Sequence, residues 1–442
     1  MNIGRCNFFL LALTNHLLVL VVGNLVCLVC VAKAEEKITP PPVRVVDGIV
    51  MPRRPVMEAI DDAMDFLKKA DGAYVPGNID GELAGYFSTA FVNEDGSRSE
   101  RELAFPARHH AYFIFTFLHY HDYSGEEEWL IRACDLADWN LAHSSPADAA
   151  YPNIPYSVYE KGKPGGSADQ DSTEPDKAAF LGSAYLALFE ATQEKKYFAA
   201  AKAIAETLVQ RQNKDGSWPF RVVPGTGEVR QEFGGAPVFY VQFFEDLLRY
   251  ESDPLIQQSH QQASKLMFSR NVEKNLWGTY HEDIREKPET YLSAEPMCFT
   301  ADYMFRRGKS HPEYIELGRR VMRPLEERLV HTEGHAAAPA PVVSEQVGYD
   351  HMMPGHTARY CLALADLFAA TGDENVRRTA LSGINALTYM QSPEGLFATY
   401  FQELHEKNPQ KKRRNWISQH LYTVCHVLEA IRSLPEIQTQ GN

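Results

Sequence analysis

Beyond its N-terminal segment, this sequence has few cysteines and no two of them are close together. Seven cysteines occur in 442 residues, and Cys6, Cys27 and Cys30 belong to an apolar N-terminal segment. The others lie far apart in apolar helical patterns, without any C-x-x-C pair: Cys134, Cys298, Cys361 and Cys425. We therefore expect buried thiols rather than a disulfide framework or a cysteine-rich metal site.

Long basic runs and short catalytic motifs are also missing. The formal net charge is −14, and residues 411–414 are the one basic cluster, which argues against a nucleic-acid partner. The sequence has no G-x-S-x-G elbow, phosphate loop or dinucleotide fingerprint. His331 and His335 are separated by Thr332, Glu333 and Gly334, so they do not form H-E-x-x-H. No short motif defines the reaction.

Only the N-terminus carries a long apolar run. Residues 17–31 are almost wholly apolar, and Ala32, Lys33 and Ala34 fit a small-residue cleavage site. This pattern predicts a signal peptide over residues 1–34 and a secreted or periplasmic protein. The alternative is an uncleaved anchor beginning at Phe8, which is the one case in which the protein would contact a membrane. Polar residues 14–16 interrupt that longer run and favour cleavage.

Strand-like alternation is scarce, whereas apolar helical patterns recur. Five of the apolar helices open at a proline and a sixth opens at Trp416 and Ile417; the prolines are Pro106, Pro175, Pro237, Pro296 and Pro354. The period is about sixty residues, and proline is favoured at the first helical position. A more amphipathic helix follows each apolar one, as expected for an inner and an outer layer. We predict six helical hairpins.

These hairpins resemble the (α/α)6 toroids of carbohydrate-active enzymes over residues 55–434. The turn at residues 212–218, Q-x-x-D-G-S-W, is similar to a repeat motif of squalene-cyclase and prenyltransferase relatives. A linear solenoid is the competing arrangement. We prefer a closed ring because the helices stop at six pairs and no polar capping repeat is evident. Residues 35–54 are interpreted as a lead-in linker and residues 435–442 as a tail.

If all inner helices begin at one end, their preceding loops and positive N-termini meet at one mouth. The resemblance implies that sugars bind there. Candidate catalytic residues in these segments are Asp171, Glu174, Glu295, Tyr349, Asp350, His351 and His356. Candidate substrate-binding residues are Arg108, His109, His110, Asp176, Tyr291, Arg359, Trp416 and His420. Cations are disfavoured at helix N-termini, so Arg and His in these first turns suggest an acidic ligand or partner carboxylates.

The leading hypothesis is an exported enzyme that cleaves a glycan, more specifically an acidic or uronate-containing one. A hydrolase would use two carboxyl groups. A lyase would neutralise the uronate with Arg108, Arg359 or a histidine, while Tyr349 or His351 transfers the proton. The alternatives are a non-catalytic glycan- or protein-binding toroid and, lower in rank, a terpenoid-cyclase-like protein.

No cofactor is expected from the sequence. Asp169, Asp171 and Glu174 loosely resemble an oxygen-rich calcium loop, but the glycine of the EF-hand pattern is missing. A calcium ion there is the one metal alternative.

Overall fold

The computed structural model describes residues 42–70, 91–97, 103–160, 163–164, 171–232, 236–277, 280–281, 284–285, 291–401 and 415–439. The chain divides into Met1–Pro42 and Val43–Asn442, and the following description concerns the second unit. The predicted signal peptide lies outside the described residues. Within the described part, no helix is both long and apolar enough to cross a bilayer.

Twelve long helices form two concentric layers. In chain order they are α1 (Val56–Ala70), α2 (Ala111–Ser124), α3 (Glu127–His143), α4 (Pro175–Thr192), α5 (Lys195–Arg211), α6 (Pro237–Leu248), α7 (Pro254–Leu266), α8 (Ala294–Arg307), α9 (Glu313–Arg328), α10 (Pro354–Thr371), α11 (Glu374–Leu387) and α12 (Ile417–Ala430), with a short α13 (Glu436–Thr439) at the end. The even-numbered helices are buried on nearly all sides, and the odd-numbered ones bury one face. Burial therefore assigns the apolar helices to the inner layer, as predicted.

The inner layer closes into a ring. Each inner helix packs against the next, and α12 packs against both α10 and α2. A linear solenoid would leave α12 and α2 apart, so the protein is an (α/α)6 toroid, as the sequence predicted.

The sixth hairpin differs from the expected pattern. Only the short α13 follows α12, and α1, from the other end of the chain, occupies the outer position beside it. Gln391 donates through Nε2 to the Ala59 carbonyl at 2.6 Å, which joins α1 to the turn after α11. Both ends of the described chain thus complete the ring.

Three of the five prolines stand at the first position of their helices: Pro175, Pro237 and Pro354. Pro106 instead opens a π-helical turn, Pro106–His110, that continues into α2, and Pro296 is the third residue of α8. The missing proline N–H costs no hydrogen bond in any of these first turns.

Short antiparallel strands lie at one end of the ring. Their bounds are β1 (Val45–Val46), β2 (Ile49–Val50), β3 (Phe91–Val92), β4 (Leu103–Ala104), β5 (Tyr159–Glu160), β6 (Lys163–Pro164), β7 (Arg221–Val222), β8 (Val229–Gln231), β9 (Tyr280–His281), β10 (Ile284–Arg285), β11 (Val330–His331), β12 (Val342–Gln346), β13 (Tyr349–Met352) and β14 (Asn415–Trp416). They pair as β1-β2, β3-β14, β4-β5-β6, β7-β8, β9-β10 and β11-β12-β13. All except β1 and β2 lie in connections that lead from an outer helix into an inner one. The connections in the opposite direction contain only short turns.

The flanking segments also take part in the fold. Within the predicted lead-in, the β1-β2 hairpin docks on α11, where Asn385 Nδ2 donates to the Val50 carbonyl at 2.8 Å. In the predicted tail, Glu436 of α13 pairs with Arg377 of α11 at 2.9 Å.

The turn at residues 212–218 is held by its own side chains. Asp215 Oδ1 accepts the Ser217 backbone N–H at 3.0 Å, and Gly216 has a φ of +89°. Trp218 is buried and donates through Nε1 to the Leu208 carbonyl at 2.8 Å. The aromatic ring thereby fixes the turn to α5.

Candidate functional site

A small cavity lies where the inner helices begin. It has a volume of about 50 Å3 and is lined from α2, α4, α8, α10 and α12, the turn before α2 and strand β12. The lining residues are Arg108, His109, Tyr112, Lys177, Glu295, Glu345, His356, Ser418, Gln419 and Tyr422. The structure thus brings four of the predicted site residues together at one mouth: Arg108, His109, Glu295 and His356.

Glu295 is held from two sides at the bottom of this cavity. Its Oε1 accepts a hydrogen bond from the Tyr112 hydroxyl. Its Oε2 forms an ion pair with Lys177 Nζ at 3.1 Å. Burial and the Glu295 charge raise the pKa of Tyr112 well above its usual value, so Tyr112 remains a donor. Burial disfavours the Lys177 charge, but Glu295 and Asp176 raise its pKa overall. Glu295 is therefore an oriented carboxylate with a partner on each oxygen.

Glu174 is a fixed anion. It is 1% exposed, and Arg108 and Arg221 approach its Oε1 through Nη2 at 2.9 and 3.0 Å. Burial alone would raise the pKa of Glu174, but the two guanidinium groups lower it to about 2. A carboxylate held this way is a poor proton donor near neutral pH, which argues against Glu174 as the general acid. It also occupies Arg108, the candidate for neutralising a uronate.

Asp176, two residues after Glu174, has a pKa shifted in the opposite direction. Its Oδ1 accepts the Lys177 backbone N–H at 2.8 Å, and its side chain is buried. Burial raises the pKa of Asp176 to about 6, against the lowering effect of Lys177. Such a group can exchange a proton near neutral pH. Asp176 lies next to the cavity-lining Lys177 in sequence but is outside the lining itself.

His356 is the buried histidine of the mouth cavity. It occupies the first turn of α10, and its ring centre lies 5.7 Å from that of Tyr422. His109 lines the same space, with its ring 5.4 Å from Phe105. Glu345, on β12, adds a second carboxylate. The cavity therefore contains two imidazoles and two carboxyl groups, which are the usual acids and bases of enzymes.

The Tyr349–His351 cluster forms, but beside the cavity rather than in it. The hydroxyls of Tyr349 and Tyr400 lie 2.7 Å apart, and the rings of Tyr349 and His351 are 4.6 Å apart. Neither residue lines the mouth cavity. Asp350 lies between them on β13, and its side chain is outside the described part.

Three candidate binding residues instead hold the scaffold. His420 is buried: its Nδ1 accepts the Phe397 N–H and its Nε2 lies 3.0 Å from the Ala63 carbonyl. His110 is buried with Nδ1 3.0 Å from Asn140 of α3. Burial lowers the pKa of His420 to about 4 and that of His110 to about 3, so both rings are neutral. Tyr291 donates to Gln346 at 2.8 Å. None of the three lines the mouth cavity, so their contact with substrate stays a prediction.

Arg359 also departs from the prediction. It lies more than one turn into α10, pairs with Asp302 at 2.9 Å, and stacks over the Phe299 ring at 3.5 Å. It lines a different cavity at the other end of the inner helices. The helix carries this side chain past the mouth, so Arg359 does not belong to the mouth site.

The remaining candidates lie near the surface of the mouth. Trp416 is half-buried on β14, with its ring 6.1 Å from Phe105. Asp171 is exposed and lies 3.9 Å from Arg230. Asp169 lies outside the described residues. The guanidinium groups around Glu174 disfavour a cation there, which opposes the calcium alternative.

Sequence reasoning missed the second cavity entirely. It has a volume of about 490 Å3 and is lined by the later turns of the inner helices. Ionisable lining residues include His119, Asp302, Arg306, Arg359, His426 and Glu429. A signal was present, because charged residues inside otherwise apolar helices need a partner or a function.

Comparison with known proteins identifies the fold. No family model matches the chain, and no curated protein matches it. Solved structures do match across most of the chain. The chain has the (α/α)6-toroid fold of carbohydrate-active enzymes.

Three solved structures illustrate the likeness. A sugar epimerase from a ruminal bacterium has 10% identity and a TM-score of 0.63, and the match covers 84% of this chain and 98% of that one. A D-mannose isomerase has 15% identity and a TM-score of 0.64, covering 85% and 96%. An unsaturated glucuronyl hydrolase specific for heparin has 13% identity and a TM-score of 0.58, covering 87% and 98%. At these identities the likeness concerns the fold.

Proposed function

We propose that this protein is an enzyme that acts on a carbohydrate by proton transfer at the mouth cavity. The observation that carries the proposal is the convergence of His109, His356, Glu295 and Glu345 on one cavity. These groups come from separate helices and a strand, so the tertiary fold alone brings them together. General acid–base catalysis requires this kind of assembly. Solved structures of the same fold include a sugar epimerase and a D-mannose isomerase, which supports a sugar as substrate.

The charges of the cavity favour a neutral sugar over a uronate. Arg108 is paired with Glu174, and Lys177 is paired with Glu295. Arg359, the other candidate for binding a uronate carboxylate, lies at the far cavity and pairs with Asp302. A lyase needs a cation that is available to neutralise the substrate carboxylate. These three cations are paired with protein carboxylates, so we rank lyase chemistry last.

We assign the proton-transfer role to His356 and the orienting role to Glu295. His356 is buried at the start of α10, and Glu295 is held by Tyr112 and Lys177. In an isomerase or epimerase reaction, the histidine would remove a proton from a carbon next to the sugar carbonyl. Glu295, Tyr112 and Lys177 would bind the sugar oxygens through an already ordered network.

A hydrolase is the second candidate. Glu295 and Glu345 both line the cavity, and glycoside hydrolysis uses two carboxyl groups around the scissile bond. An unsaturated glucuronyl hydrolase with the same fold supports this alternative. Glu295 was a candidate catalytic carboxyl from the sequence, and Glu345 lies in the loop that leads into α10.

One assay separates these reactions. The mature protein is incubated in D2O with neutral mono- and disaccharides and with uronic-acid oligosaccharides. Deuterium appearing at a sugar carbon indicates an isomerase or epimerase, and new reducing ends indicate a hydrolase. Reducing ends together with ultraviolet absorbance of an unsaturated product indicate a lyase. Absence of all three products with every sugar would contradict the proposal and leave the binding toroid.

A pair of variants tests the assigned residues. His356→Asn should lower turnover by roughly 10²- to 10⁴-fold, the usual contribution of a general acid or base. His311→Asn is the matched control, because His311 is an exposed histidine that contacts Glu313 outside both cavities. Equal turnover in the two variants would remove His356 from the mechanism.

A further inference from the structure

The second cavity contains a group of side chains typical of metal ligands. His119, Cys425 and Glu429 all line it, and their ligand atoms lie within 4.8 Å of one another. Among the described residues this is the one such group of three. It lies at the end of the inner helices opposite the mouth, so it takes no part in the proposed sugar chemistry.

The secondary structure explains why these three side chains meet. Cys425 and Glu429 are four residues apart on α12, and residues at this spacing share one helix face. His119 is on α2, the inner helix that packs against α12 when the ring closes. Metal sites in helical bundles are built from facing helices in this way.

The distances fit a tetrahedral ion. Two nitrogen or oxygen ligands of one zinc ion, each about 2.0–2.1 Å from it, are roughly 3.3 Å apart. His119 Nε2 and Glu429 Oε1 are 3.4 Å apart, and apart from this contact His119 Nε2 has no polar partner among the described residues. Cys425 Sγ lies within 4.8 Å of both, so modest side-chain rotation brings it into range.

A second layer of contacts orients the carboxylate. Glu429 Oε2 accepts from His426 Nδ1 at 2.9 Å and lies 4.0 Å from Arg359 Nη1. These contacts use the oxygen that faces away from His119, so Oε1 stays directed at the cavity. Hydrogen bonds from a neighbouring group to a ligating carboxylate are the usual support of metal sites.

We propose that His119, Cys425 and Glu429 bind one zinc ion, with the fourth coordination position open to the 490 Å3 cavity. A nitrogen, a sulfur and an oxygen ligand suit zinc better than calcium or magnesium, which prefer oxygen alone. On binding, the S–H bond of Cys425 breaks, the sulfur forms a bond to zinc, and the proton passes to solvent.

One neighbour opposes the ion in the described arrangement. Arg432 Nη2 lies 3.3 Å from His119 Nδ1, where it can donate only if that nitrogen carries no proton. Zinc at Nε2 requires the proton on Nδ1, so exposed Arg432 has to turn away. Arg432→Ala is therefore expected to tighten zinc binding.

Cobalt provides a readout that does not depend on activity. The full chain is freed of metal with a chelator and titrated with Co2+ while visible and near-ultraviolet absorption is recorded. We expect one Co2+ per chain, a thiolate-to-cobalt charge-transfer band, and displacement by Zn2+. Failure of the wild-type chain to bind Co2+ saturably would overturn the proposal.

Variants assign the ligands. Cys425→Ser should abolish the charge-transfer band, whereas Cys134→Ser, which changes a half-buried thiol on outer helix α3, should retain it. His119→Ala should abolish saturable binding and provides an independent test if Cys425→Ser fails to fold. His426→Ala should weaken binding by about 10- to 100-fold. A band that survives Cys425→Ser, or disappears in Cys134→Ser, contradicts the assignment.

Discussion

Each end of the ring contains a buried carboxylate between two arginines. At the mouth, Glu174 pairs with Arg108 at 2.9 Å and with Arg221 at 3.0 Å. At the opposite end, Asp302 pairs with Arg359 at 2.9 Å and with Arg306 at 3.1 Å. The two arrangements look alike, yet their surroundings give them different consequences.

At the mouth, the side chains of Arg108 and Arg221 are only 11% and 6% exposed, and both pair with the fully buried Glu174. At the opposite end, Arg306 is partly exposed and the Asp302 carboxyl acts electrostatically on the neighbouring Asp366. Burial and the neighbouring Asp302 raise the pKa of Asp366 to about 8, so this pair of carboxyls retains a proton near neutral pH. The mouth arrangement is a fixed ion pair, whereas the opposite one can titrate.

The two ends also differ in the lengths of their connections. Long connections with strands lead into the inner helices and meet around a cavity of about 50 Å3. Short turns leave the inner helices, and the cavity at that end is about 490 Å3. Functional residues are usually found on long loops. Here the end with short turns also contains potential metal ligands, and these lie on the helices themselves.

The largest expected effect on stability comes from removing one arginine at each end of the ring. Arg359→Met and Arg108→Met each leave a buried carboxylate with one partner fewer, and each should lower the free energy of unfolding by about 3–5 kcal/mol. Urea denaturation at neutral pH measures both.

Arg249→Met is the matched control for these variants. Arg249 pairs with Glu190 at 3.0 Å on the surface, with side chains 60% and 49% exposed. Removing an exposed pair changes stability by about 0–1 kcal/mol. If Arg359→Met lowers the free energy of unfolding no more than this control does, the ion pairs of Asp302 do not stabilise the fold.

The next largest effect is a loss of stability at acid pH, caused by protonation of Glu174 at the mouth. The folded pKa of Glu174 is lowered to about 2 from a usual value of 4.5, so its ion pairs stabilise fully above pH 4.5 and are lost as pH falls towards 2. At about 1.4 kcal/mol per pKa unit this amounts to roughly 3 kcal/mol. Glu174→Gln should be less stable than the wild type at pH 6 and lose less stability on acidification. Parallel pH dependence in the two proteins would contradict the ion-pair account.

The far end should respond to pH with the opposite sign. Asp366 has a raised folded pKa, so the native state binds more protons than the unfolded state and stability falls as pH rises from about 4 to 8. The slope is at most about 1.4 kcal/mol per pH unit. Asp366→Asn should flatten the stability profile between pH 6 and 8. An unchanged slope would show that Asp302 and Asp366 do not share a proton.

The smallest effect concerns the tyrosine pair beside the mouth. Tyr349→Phe removes the 2.7 Å contact with Tyr400 and should cost about 1 kcal/mol in unfolding free energy. Because Tyr349 lies outside the cavity lining, turnover on whichever sugar is accepted should stay at the wild-type level. A large fall in turnover would restore the sequence-based assignment of Tyr349 to the mechanism.

The residues of the mouth were only partly predictable. Reading the first turns of the apolar helices found Arg108, His109, Glu295 and His356, which do line the cavity. Tyr112 was missed because it lies a turn further along α2. His109 and His110 are adjacent, yet one faces the cavity and the other faces Asn140, since neighbouring residues point about 100° apart on a helix.

The repeated helices, their inner and outer layers and the prolines in their first turns could be predicted from the sequence, because burial and backbone geometry act locally on each segment. The tertiary structure decided three further matters. It recruited α1 to complete the sixth hairpin, it turned His420 onto the Ala63 carbonyl, and it brought His119 beside Cys425 and Glu429. Each depends on contacts between segments far apart in the chain, which exist only once the ring has closed.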